Sequence, residues 1–126
     1  MLTSALCSIT FRKLPPREII DLCLKSKIQG IEWGGDVHVP HGDLSTARLI
    51  RKETEAAGLQ VSAYGSYYRC DEDQVRFQEV LATAKELGTS VIRIWAGNKG
   101  SADATQEERI ATATAIRQAV ESASEE

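Results

Sequence analysis

Gly30-Ile31-Glu32-Trp33-Gly34-Gly35-Asp36-Val37-His38-Val39-Pro40-His41-Gly42-Asp43 is the stretch on which the reading of this chain turns. A short apolar run ends in two glycines. Both histidines of the protein follow, in a loop bounded by Pro40 and Gly42. Strands that end in glycine-rich, histidine-bearing loops are where parallel α/β folds place their chemistry.

Working outward, the same grammar recurs on both sides. Upstream, Ala5 to Phe11 is an apolar, β-branched run that reads as a buried strand. Pro15 and Pro16 then suit the first turn of a helix, with Glu18 near its positive end. Ile20, Cys23, Leu24 and Ile28 form its apolar stripe, and Gly30 is expected to close it. Downstream, Asp43 or Ser45 caps a second helix with Ala47, Ile50 and Ala57 on its inner face and Leu49 flanking them.

Leu59 to Tyr64 follows as a third strand, and Gly65 to Cys70 as its exit loop. A third helix is expected from near Asp71 or Asp73, carrying Phe77, Val80, Leu81, Ala84 and Leu87 inward as far as Gly88. Val91 to Trp95 makes the fourth strand. Thr105 and Glu108 have capping-box spacing and open a fourth helix, with Ile110, Ala113, Ile116, Ala119 and Val120 as its stripe.

The punctuation is periodic. Gly30, Gly58 and Gly88 stand 28 and 30 residues apart, the length of one βα unit. Four consecutive units predict parallel strands joined by right-handed crossovers. Either an open doubly wound sheet or part of a closed barrel accepts them. The doubly wound fold expects a glycine-rich phosphate turn after the first strand, where this chain has Arg12-Lys13-Leu14-Pro15-Pro16. Glu32, Ser62 and Arg93 also sit mid-strand, which suits the wetter end of a barrel interior.

The fold class is therefore α/β, with residues 1–126 forming a single partial domain, half of a (β/α)8 barrel. A complete barrel takes about 250 residues. The expectation is a fragment, or a subunit completed by a homodimer partner or a missing C-terminal half. Alternate strands fill one interior layer of a barrel, so Glu32 and Arg93 are expected to form a buried or half-buried ion pair.

Composition narrows the function. The chain has 126 residues, 42% hydrophobic, with a formal net charge of -3. That balance gives no electrostatic basis for a nucleic-acid or membrane-surface partner. Cys7, Cys23 and Cys70 show neither a disulfide framework nor paired metal-ligand spacing. No run reaches membrane-spanning length and no signal peptide opens the chain, so a cytoplasmic location is expected.

With Gly30 to Pro40, Val61 to Arg69 and Val91 to Gly97 in view, the sequence resembles the sugar phosphate isomerase/epimerase family of xylose isomerase-like TIM barrels. The resemblance runs along the whole chain and covers the first half of that fold. It implies a metal-dependent isomerase or epimerase that moves a proton next to a carbonyl. It also implies a divalent cation, Mn, Mg, Zn or Co, whose ligands stand on strands five to eight and so lie outside this chain. No catalytic residue and no metal ligand is assigned within it.

What the resemblance leaves here is one wall of a pocket for a small sugar or sugar phosphate. Trp33 and Trp95 end strands and could pack on a sugar's C–H face; ordinary packing under loops competes with that reading. His38 could reach a hydroxyl, or be a loop histidine without a role. Tyr64, Ser66, Tyr67, Tyr68 and Arg69 cluster on the third loop, with Tyr64, Ser66 and Arg69 as the candidate contacts; Arg69 could hold a phosphate or carboxylate, or pair with Asp71 or Glu72. A His38/His41 metal pair lacks a third ligand unless Asp36 or Asp43 joins it. Two other functions compete: a non-catalytic carbohydrate-binding or self-pairing half-barrel, and an apurinic-site endonuclease, which the acidic charge disfavours.

Overall fold

The computed structural model describes residues 2–71 and 74–124. Strands β1 (Ala5–Cys7), β2 (Gly30–Gly34), β3 (Gln60–Arg69) and β4 (Ile92–Trp95) alternate with helices α1 (Pro16–Lys25), α2 (Leu44–Ala56), α3 (Gln74–Leu87) and α4 (Gln106–Ser124). The strands form one parallel sheet in the order β1-β2-β3-β4. Each helix packs on the next, α1 on α2, α2 on α3 and α3 on α4. Sequential strands under a single file of helices are the wall of a barrel; a doubly wound sheet would shuffle its strands and cover both faces.

The core lies between sheet and helices. Ile31, Trp33, Tyr64 and Tyr68 face it from the strands, and Ile19, Ala47, Val80 and Leu87 meet them from the helices. All five residues expected on the inner stripe of α3 are buried. Helix entry follows the residues. Pro16 stands in the first turn of α1, Asp43 accepts the Thr46 N–H at 3.0 Å, and Thr105 and Glu108 exchange backbone bonds as a capping box.

The helix exits repeat one geometry. Ile28, Leu59 and Thr89 donate their N–H groups to the carbonyls of Cys23, Thr54 and Ala84, five residues back in each case. The residue before each donor is left-handed: Gly58 (φ 76°), Gly88 (φ 74°) and, at the first exit, Lys27 (φ 56°). Gly30 therefore does not close α1. It opens β2, where an added Cβ would stand 3.1 Å from the Gln60 carbonyl oxygen.

Other expectations shift as well. The first strand ends at Cys7, because the Ser8 hydroxyl accepts the Gly34 N–H and turns Ser8–Phe11 into a 3-10 helix. On α1, Ile19 is buried and Leu24 is exposed. The expected loop Gly65 to Arg69 is strand, since β3 pairs with β4 as far as Arg69. Its register slips between Gly65 and Arg69, and Ser66 Oγ bonds the Arg93 carbonyl at 2.6 Å within that slip. On α4, Ala119 is buried while Ile110 and Val120 are exposed, because the helix packs inward on α3. Asp71 lies in a turn before α3; the alternative start at Asp73 and the Arg69 partner Glu72 lie outside the described residues.

Candidate functional site

The sheet face opposite the helices carries the charged and aromatic residues. Glu32 on β2 and Arg93 on β4 meet across β3, with Arg93 Nε donating to Glu32 Oε1 at 2.9 Å. The expected half-buried ion pair is present. Cys7 Sγ donates to the same carboxylate oxygen at 3.4 Å from β1, and burial pushes its thiol pKa up. Burial works against the Arg93 charge, but the Glu32 hydrogen bond and charge more than offset it and raise the Arg93 pKa.

Toward the C-terminal ends of the strands, Trp95 stands over this pair. The Arg93 guanidinium carbon lies 5.4 Å from the Trp95 ring centroid and that of Arg69 5.8 Å. Tyr67 is 6.4 Å from Trp95, and Arg12 binds both the Tyr67 hydroxyl, at 2.9 Å, and the Asp36 carboxylate. Arg69 also donates to the Gly97 carbonyl at 3.0 Å. Two of the expected ligand contacts, Arg69 and Trp95, thus belong to one cluster on the open face.

The other four stand elsewhere. Trp33 is fully buried against α2 and donates from Nε1 to Thr54 Oγ1 at 3.1 Å. Tyr64 is buried with its hydroxyl on the Val39 carbonyl, 2.9 Å away, and burial pushes its phenol pKa up. Ser66 is buried on the Arg93 carbonyl. His38 is buried too, with Nδ1 2.9 Å from Ser8 Oγ and Nε2 3.1 Å from the Leu14 carbonyl oxygen. A carbonyl only accepts, so Nε2 carries the proton and Nδ1 takes the Ser8 hydroxyl. These four side chains spend their polar atoms on the protein and offer no surface to a ligand. Burial that is complete in four strands only deepens when more chain is added.

The described donors do not suit a divalent cation. No group of three or more His, Cys, Asp or Glu side chains that could hold a metal lies among the described residues. Glu32 is paired with Arg93, and both nitrogens of His38 are engaged. A groove of about 560 Å³ beside β4 is lined by Ala96, Asn98, Thr112 and Ile116 among others. It shares no side chain with the arginine–aromatic cluster. No helix among the described residues is long and apolar enough to cross a membrane.

No protein-family profile matches the sequence, and no curated protein matches it. Solved structures do. The probable 3-DHS dehydratase AsbF of Bacillus anthracis, involved in petrobactin synthesis, superposes with a TM-score of 0.78 at 22% identity, over 98% of this chain and 49% of that one. A xylose isomerase domain-containing protein of Salmonella typhimurium matches with a TM-score of 0.71 at 13% identity, over 96% of this chain and 45% of that one. The chain has the fold of half a TIM barrel. It spans about half the length of the structures it matches.

In this half-barrel the open face is the barrel interior, and the ends of β3 and β4 belong to the rim where such barrels carry their sites. The sequence reading gives Arg93 a structural role, gives Arg12 none, and places Tyr67 in the third-loop cluster without a role of its own. One signal was available. Read as strand, Gly65-Ser66-Tyr67-Tyr68-Arg69 sends Gly65, Tyr67 and Arg69 to one face by simple alternation.

Proposed function

We propose that the half-barrel is part of a divalent-metal-dependent isomerase or epimerase acting on a small sugar or sugar phosphate by proton transfer next to a carbonyl. The observation that carries this reading is the cluster of Arg69, Arg93 and Trp95 on the interior face, at the strand ends where this fold places its sites. Trp95 gives a sugar's C–H surface an apolar platform, and the arginines hold polar or charged substituents. The chain's own residues bind and orient in this scheme. The proton-moving carboxylate and the ligands of a cation would stand on the remaining strands, supplied by a C-terminal half or by a second copy.

The solved likeness to a dehydratase favours one other outcome, loss of water from the same class of hydroxylated substrate. A single assay separates them. Ketoses and sugar phosphates are incubated in heavy water with the completed barrel and Mn, Mg, Zn or Co. Deuterium at the carbon next to the carbonyl, with the substrate mass otherwise unchanged, supports isomerisation or epimerisation. A product lighter by one water indicates the dehydratase. No exchange and no loss of water across the panel overturns the enzyme reading.

A further inference from the structure

Among the described residues the sheet has two open edges, one on β1 and one on β4. The backbone shows which groups they present. Val91, Arg93 and Trp95 spend their carbonyls on β3, accepting from the Tyr64 N–H at 2.8 Å, the Ser66 hydroxyl at 2.6 Å and the Cys70 N–H at 2.9 Å. Strand alternation then turns the N–H and carbonyl groups of Ile92 and Ile94 to the outer edge. The Ser4 carbonyl accepts the Gly30 N–H at 3.1 Å, so Ala5 and Cys7 turn theirs outward from β1. Apolar side chains mark the same two ends. Val91, Ile110 and Val120 are exposed on or beside β4 and α4, as is Leu2 ahead of β1, and Ile92, Ile94 and Ile116 are only partly covered.

The ion pair sets the register in which two such edges would meet. Gly65 pairs with Gly34 on one side and with Arg93 on the other, so Arg93 stands level with Gly34. Its side chain nevertheless meets Glu32, two residues back along β2. That offset is the strand tilt of a barrel wall. Continued by the same step, Arg93 meets Glu32 of a second copy when it stands level with that copy's Gly30, and hence with Ala5, the Gly30 partner on β1. Ile94 then faces Leu6, both of them packed toward the core. The outward N–H and carbonyl of Ile94 reach the outward groups of Ala5 and Cys7.

We propose that the chain closes its barrel with a second copy of itself, β4 of each copy pairing in parallel with β1 of the other. Charge complementarity favours this occupant. Alternate strands fill one interior layer of a barrel with four side chains. With two copies that layer runs Glu32, Arg93, Glu32, Arg93, and each guanidinium stands between two carboxylates once water is excluded. Symmetry makes the two seams identical, so the assembly stops at two. This commits the barrel function proposed above to one of its two completions and does not depend on the reaction.

Sedimentation of the 126-residue chain at micromolar concentration should show a dimer. A monomer, or an open-ended series of larger species, would overturn the closed pair. Charge reversal tests the layer, with Glu32→Arg and Arg93→Glu in one chain. The reversed chain keeps its internal pair and should dimerise with itself. Mixed with the parent, it would set two arginines across one seam and two glutamates across the other. Native mass spectrometry of the equilibrated mixture should therefore show mixed dimers at least about tenfold below the statistical half. Mixed dimers at the statistical share would overturn the alternating layer. The register is tested without the reversed chain. Leu6→Cys mixed with Ile94→Cys should give a disulfide-linked dimer under mild oxidation, because facing residues of paired strands lie within disulfide reach. Either variant alone should stay at the level that Cys7, Cys23 and Cys70 set in the parent. No linkage above that level in the mixture would overturn the β4–β1 pairing. Deuterium exchange reports separately on the reaction.

Discussion

Glu32 and Arg93, on strands separated by β3, reach each other because the residue between them is Gly65. A Cβ there would stand 2.6 Å from Glu32 Oε1 and 2.9 Å from Arg93 Nη2. Both atoms are ends of flexible side chains, so Gly65→Ala should part the pair without breaking the sheet. With Arg93 36% and Glu32 24% exposed, the pair ranks nearer a surface ion pair than a buried one. Gly65→Ala and Glu32→Gln should each cost about 1 kcal/mol and combine less than additively in a double-mutant cycle read by urea unfolding. Full additivity would mean that the pair contributes nothing.

Ser8 joins three parts of the chain. Its hydroxyl accepts the Gly34 N–H at 2.9 Å and donates to His38 Nδ1. Ser8→Ala leaves both groups buried and unpaired, so a loss of about 2–3 kcal/mol is expected in urea unfolding. A loss within the range of an ordinary surface substitution would remove Ser8 and His38 from the scaffold of the rim.

Lys27 occupies the left-handed exit that glycine fills after α2 and α3. Replacement by glycine relieves the crowding of its Cβ, and Lys27→Gly should raise stability by up to about 1 kcal/mol. A shift of the thermal midpoint downward would contradict that account of the helix exits.

Asp43 caps α2 through Thr46 and Ser45, and the Thr46 side-chain bond, followed by the Thr46 backbone bond, holds its carboxyl below the ordinary range. A folded-state pKa lowered in this way adds stability that is full above the unfolded value and is lost as pH falls through the folded one. The loss therefore begins near the ordinary carboxylate range, about pH 4, and deepens below it. Asp43→Asn keeps a cap without the titration. Its unfolding midpoint should fall less steeply on acidification than the parent's, and equal slopes would show that Asp43 does not titrate with folding.

Particular residues show what the sequence could reveal. The four βα units were legible because Gly58, Gly88 and the apolar stripes of α2 and α3 each act locally. The Glu32–Arg93 pair was legible because strand parity and barrel layering are periodic. The site was less so. His38, Trp33, Tyr64 and Ser66 each sit near a strand end, as ligand contacts do. Whether such a side chain turns to the core depends on partners distant in sequence, here Ser8, Thr54, Val39 and Arg93. The slip in β3 hid the strand that carries Tyr67 and Arg69 in the same way, since a bulged strand reads as a loop when only its residue types are visible.

The central claim is that Trp95 stands on an open, positively charged interior face while Trp33 is sealed in the core. Iodide and caesium quenching of tryptophan fluorescence at equal ionic strength tests it directly. One emitting population should be quenched, iodide should outpace caesium because Arg69 and Arg93 flank the ring, and Trp95→Phe should abolish both effects. Quenching by caesium that equals or exceeds that by iodide, or quenching that survives Trp95→Phe, would contradict the account.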